Sequence, residues 1–146
     1  MELIIYGIYT FLAGYNAGNM ASLQIQHYGI YSYVGKENFK SYMVANNKAA
    51  LVPAVLPGMI MFFLSIILMF ARPAFMSFAE AIVSLILNVI AFISTARWQR
   101  KLQSDMANSG YNEAKIKLLL STNWIRTIAF MLLGILTIVI LIKAVP

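Results

Sequence analysis

The chain has 146 residues, one domain's worth of material, and its 61% hydrophobic and 11% charged residues depart from the roughly 25% charged norm of soluble domains. With no cysteine it has no disulfide framework, no thiolate metal site and no CxxC redox pair. The formal charge of +6 sits in the connections between apolar stretches instead of forming a groove-reading patch, which points to membrane topology and away from nucleic acid.

Four stretches, about 3–23, 49–71, 75–96 and 124–142, are long enough to cross a hydrocarbon core of about 30 Å at about 1.5 Å per residue. The expected fold class is therefore all-α, an integral membrane up-down-up-down four-helix bundle forming a single domain over 1–146. The first span follows Glu2, not a basic n-region, and exceeds a 7–15-residue h-region, so it is expected to stay in place. One side of it carries Asn16, Asn19, Gln26 and His27. The opposite side carries Gly7, Gly14, Gly18 and Ala21, a small-residue packing face for another helix of the chain or of a partner.

The connection after it holds Tyr28, Tyr31, Tyr33, Phe39 and Tyr42, suited to a membrane interface. In the second span Pro53 and Pro57 each remove a helix hydrogen bond, which predicts a bend at its entry. The short Arg72-Pro73 link makes spans two and three antiparallel neighbours. At about 100° per residue, Ser77, Glu80, Ser84, Asn88, Ala91 and Thr95 of span three share a sector of about 80°. Asn108-Ser109-Gly110 reads as a turn, with Asn112 or Ser109 capping a helix that runs through Ile116 and Leu119 into span four. There Asn123, Arg126, Thr127, Phe130, Gly134 and Thr137 share a sector of about 100°.

Lys36, Lys40 and Lys48 fall on the same side as Arg97, Arg100, Lys101, Lys115 and Lys117, while Arg72 and Lys143 fall on the other. The positive-inside rule makes the first side cytoplasmic and leaves both termini outside. A guanidinium in span four is the costliest residue present: at mid-membrane it costs about 2.5–3.5 kcal/mol, so Arg126 must snorkel, pair or line a polar interior. His27, Thr95, Asn123 and Arg126 fall at the cytoplasmic end and Asn19 and Asn88 deeper, which predicts a polar cavity opening toward the cytoplasm. Glu80 belongs near the outer end, too far to neutralise Arg126. His27, Asn19, Asn88, Asn123 and Arg126 are the candidate ligand-binding set. No catalytic residue is assignable, since HExxH, GxSxG, P-loop and GxGxxG runs are absent; the single histidine has no companion ligands for a metal, and no cofactor is expected.

The run Gln26-His27-Tyr28 with Val34-Gly35, Phe39 and Tyr42, then Gln99 and Asn123-Trp124-Ile125-Arg126-Thr127, resembles a group of small four-span bacterial membrane proteins. It distantly resembles the anthrone-oxygenase-like family, which shares the Asn and Arg near the start of the last helix. That resemblance implies histidines after Tyr42 and an acid in the second span. Here Met43 and Asn46 stand at the histidine positions, and no acid lies between Ala49 and Ala71. Together these readings imply a bacterial inner-membrane protein in the lipid bilayer, an accessory or structural subunit that is a homo-oligomer or is joined to other membrane subunits. The alternative is a cofactor-independent oxidoreductase or binding protein for a flat apolar ligand, quinone- or polyketide-like, at the cytoplasmic end of the bundle.

Overall fold

A computed structural model describes residues 2–145, and these residues are predominantly helical, with no strand among them. Six α-helices follow one another: α1 (Glu2–Ser22), α2 (Phe39–Ala49), α3 (Leu56–Phe70), α4 (Phe78–Ser94), α5 (Arg100–Ser109) and α6 (Glu113–Ile142). Three π turns join or extend them, at Leu23–His27 after α1, Leu51–Val55 before α3 and Thr95–Gln99 between α4 and α5. Leu51–Phe70, Phe78–Ser109 and Glu113–Ile142 are long and apolar enough to cross a membrane. They cover most of the second and third expected spans and all of the fourth. α1 is not among them, because glycines, tyrosines, Asn16 and Asn19 dilute its apolar content.

Burial is inverted relative to a soluble protein. Phe11, Phe63 and Ile135 are at least 57% exposed, while Asn16, Ser65, Ser84, Asn88, Asn123 and Thr127 are at most 2% exposed. In water that arrangement would expose a large apolar surface; in lipid it turns polar side chains toward one another, with Tyr6 Oη, Asn16 Oδ1, Asn47 Oδ1 and Ser84 Oγ left without a hydrogen-bond partner among the described residues. α1 packs on α6, α6 on α4, α4 on α3 and α3 back on α1, around a core that includes Tyr6, Tyr9, Met20, Met61, Phe130 and Leu133. The close approach of α1 to α6 occurs where Gly134 faces Ala13 and Ala17: a Cβ on Gly134 would lie 3.6 Å from Ala17 Cβ and 3.7 Å from the Ala13 carbonyl oxygen. Gly7, Gly14 and Gly18 face open space instead.

The two long connections are not loops. α4 continues through its π turn into α5, and α2 packs on α5, with Tyr28, Tyr31, Phe39, Met43, Leu102, Met106, Ile116 and Leu119 forming a second core. The bundle therefore carries a small helical head at one end. The second-span bend is present as the Leu51–Val55 π turn. Pro57 has no N–H to offer the Pro53 carbonyl four residues earlier, and that oxygen instead accepts from Tyr15 Oη at 2.9 Å and Asn19 Nδ2 at 2.7 Å.

Helix ends are set by local chemistry. Ser77 and Glu80 form a capping box at the start of α4, and Glu80 also pairs with Lys143 at the end of α6. Gly110, at φ 85°, ends α5 in a conformation that L side chains rarely adopt. Asn112, not Ser109, caps α6: its Oδ1 accepts from the Lys115 N–H at 3.0 Å, whereas the Ser109 hydroxyl donates to the Asp105 carbonyl. Asn112→Ala should therefore lower stability by about 1 kcal/mol, measured as the unfolding midpoint in neutral detergent, with Ser109→Ala nearly silent.

Candidate functional site

The three π turns lie where the spans meet the head and define a neck. A π turn closes i→i+5 instead of i→i+4, so residues beyond it fall out of the 100° spacing that governs the helix before it. The turn at Leu23–His27 thereby buries Gln24, leaving Gln26 exposed, and aims Tyr28 at α6. The one at Thr95–Gln99 buries Gln99. Both glutamines grip α6. Gln24 Nε2 donates to the Leu120 carbonyl at 3.2 Å, and Gln99 Nε2 donates to Thr122 Oγ1 at 3.3 Å while its Oε1 accepts from Ser94.

Asn123 is the centre of the neck. Its Nδ2 donates to Gln24 Oε1 at 2.7 Å and to Thr127 Oγ1 at 3.2 Å, and its Oδ1 accepts from Arg126 Nε. Arg126 Nη2 donates to Tyr28 Oη at 2.6 Å, and the same oxygen accepts from Gln103 Nε2 of α5 at 2.9 Å. One chain of contacts thus ties α1, α6, the turn after α1 and the head together. Arg126 is 6% exposed, so its charge is held by amide and phenol oxygens and by the Tyr28 ring, 6.0 Å away. The ion pairs among the described residues are Lys115–Asp105, Lys117–Glu113 and Lys143–Glu80, and Arg126 belongs to none of them.

His27 belongs to an adjoining cluster. Its Nε2 lies 2.8 Å from Asn46 Oδ1 and 3.4 Å from Tyr31 Oη, and Asn46 Nδ2 donates to Tyr31 Oη at 3.0 Å. Burial, reinforced by the neighbouring Tyr28 and Tyr42 phenols, pushes the Tyr31 phenol above its ordinary range and keeps it neutral. His27 reaches the Arg126 network through ring contacts, directly with Tyr28 at 5.7 Å between centroids and by way of Tyr31, which meets Tyr28 edge-on.

Of the five candidate ligand-binding residues, Asn123 and Arg126 are in direct contact and His27 is one ring away. Asn19 is committed to the Pro53 carbonyl. Asn88 donates to Tyr9 Oη at 3.1 Å and to the Ser84 carbonyl, and Tyr9 lies 15 residues from Gln24, about 22 Å along the helix. Met20, Met61, Phe130 and Leu133 belong to the core that separates the two levels. The neck residues that angular counting alone misses are Gln24, Tyr28 and Gln103. Tyr28 and Gln103 lie beyond a π turn and Gln24 within one, so the phase of α1 and α4 does not reach them. Two concavities are lined by residues other than Arg126. One, of about 350 Å³, is at the α3–α4 turn beside Arg72 and Ser77; the other, of about 440 Å³, is on the head between Gly29, Tyr111 and Lys117.

The polar set at the neck therefore joins helices and confines a positive charge, and among the described residues no group of three or more His, Cys, Asp or Glu side chains is placed to hold a metal. Comparison of the chain with protein-family models, with curated proteins and with solved structures finds no match.

Proposed function

We propose that this chain is a non-catalytic accessory or structural subunit of a bacterial inner-membrane assembly. In this reading it is a four-span bundle with its head in the cytoplasm and both termini outside. The observation that carries the reading is the neck itself: Asn123, Gln24, Thr127 and Tyr28 are engaged with one another and with Arg126, as expected of groups that fix helices. The orientation is supported by Lys36, Lys40, Lys48, Arg97, Arg100 and Lys101 on or beside the head, with Arg72 and Lys143 at the opposite end. The resemblance to small four-span membrane proteins fits the same topology; the anthrone-oxygenase-like pattern lacks here both its acid in the second span and its histidines after Tyr42.

Partner contact falls to the face of Gly7, Gly14 and Gly18, where an added Cβ meets nothing within 4 Å and a second apolar helix can approach closely. In this reading the chain assembles through that face, as a homo-oligomer or with another membrane subunit. Gly14→Leu combined with Gly18→Leu should leave the unfolding midpoint of the single chain unchanged and reduce its assembly to monomers in mild detergent. An assembly of unchanged mass would remove this face from the interface. Recovery of a stoichiometric quinone-like or polyketide-like molecule with the native protein would replace the structural reading by the ligand-binding one.

A further inference from the structure

The neck has more donors than acceptors and carries an uncompensated charge. A guanidinium offers five N–H groups. Arg126 spends Nε on Asn123 and one N–H of Nη2 on Tyr28; its Nη1 has no hydrogen-bond partner among the described residues, and it is not one of the enclosed atoms. Tyr28 Oη accepts from both Arg126 and Gln103, which leaves its own phenolic proton without an acceptor among the described residues. No carboxylate pairs with this centre, although the residue is 94% buried. Desolvating a cation without a counter-ion is unfavourable, and here an outward-reaching nitrogen and a free phenolic proton remain to receive one.

We propose that Arg126 Nη1 and the Tyr28 hydroxyl bind a phosphate oxyanion, carried by the headgroup of an acidic phospholipid or by a free phosphate. Phosphate accepts strong charge-assisted hydrogen bonds from a guanidinium N–H, and its remaining charge is drawn to this end of the molecule by the exposed Lys48, Arg97, Arg100 and Lys101. The collar attracts at long range and is screened by salt. Arg126, buried, is screened far less. The site goes beyond the structural role proposed above and does not depend on which partner the chain assembles with.

The test uses the full chain in nanodiscs of equal parts phosphatidylcholine and phosphatidylglycerol, with native mass spectrometry reading the lipid retained at 0.5 M NaCl. One phosphatidylglycerol per chain is expected, enriched at least about fivefold over phosphatidylcholine, with enrichment lost in Arg126→Gln and partly kept in Arg126→Lys. Tyr28→Phe, which removes the hydroxyl and with it the acceptor of Arg126 Nη2 and Gln103 Nε2 while keeping the guanidinium, should reduce it about twofold to threefold and serves where Arg126→Gln fails to fold. In a second arm, delipidated protein in neutral detergent is titrated with inorganic phosphate against chloride at equal ionic strength. A rise in unfolding midpoint that needs Arg126, without lipid enrichment, assigns the site to free phosphate. Absence of both effects in the wild-type protein overturns the proposal, as does lipid enrichment that survives Arg126→Gln or disappears at 0.5 M NaCl.

Discussion

Asn123→Leu is expected to destabilise the folded chain by about 3 kcal/mol, because a side chain of similar size removes the centre of the neck without leaving a void. Gln24 Oε1 loses its donor from Asn123 and Arg126 Nε loses its acceptor, both in surroundings with little access to water. Each unsatisfied buried group costs about 1–3 kcal/mol, more for a charged one. Asn123→Asp separates the two losses: it keeps an acceptor for Arg126 and adds a counter-charge, but has no amide to donate to Gln24. Its stability should fall between those of Leu and the wild-type residue. Equilibrium unfolding in mixed micelles measures both, and a Leu variant within about 0.5 kcal/mol of wild type would show that the neck does not hold the bundle together.

Gly134→Leu should be at least as damaging, through sterics alone. A Cβ at this position already reaches ordinary van der Waals contact with Ala17 and the Ala13 backbone, so Ala is accommodated and should gain up to about 1 kcal/mol from helix propensity. Leu adds three more carbons directed at the backbone of α1, and backbone cannot rotate aside as a flexible side chain does. Overpacking of this kind costs about 1–3 kcal/mol where neighbours can yield, and more where they cannot. The expected pattern is therefore opposite signs for Ala and Leu at one site. It is read as unfolding midpoints and as loss of a disulfide engineered between α1 and α6. Equal and small effects of both would mean that α1 is not seated on α6 at this point.

Of the four spans that apolar length predicts, three appear as helices of membrane-crossing length and apolarity; the irregular helix entry at Pro53 and Pro57, a cap at Asn112 or Ser109 and the buried stripes through Asn88 and Asn123 are also legible, with Asn112 proving to be the cap. Those features depend on local residue type and on a 100° spacing that holds within one uninterrupted helix. Prediction runs out at the π turns. His27 and Arg126 are recognisable by type, but Tyr28 as acceptor of the guanidinium and Gln24 as partner of Asn123 both depend on an extra residue per turn that no composition signals. The glycine stripe shows the complementary difficulty. Gly14 and Gly18 have the spacing of a close contact and face outward, whereas the close contact inside the chain is made by Gly134 with Ala13 and Ala17, whose pairing across helices is not encoded in either helix alone.

The composition of the head core has a consequence for biosynthesis. Tyr31, Phe39 and Met43 leave the ribosome early, but the residues that cover them, Leu102, Met106, Ile116 and Leu119, follow 59 to 88 residues later, counting 102 − 43 and 119 − 31. At about 5–20 residues per second that is an interval of roughly 3–18 s. Throughout it the face of α2 that will meet α5 has no intramolecular cover, and the aromatic residues around it are of the kind that rest at a bilayer surface. The head therefore closes only after α3 and α4 have been made, and before the apolar part of α6 follows. A nascent chain in which α3 or α4 is misplaced cannot bring α5 onto α2, so protease resistance of the α2 region should report the correct seating of those two helices.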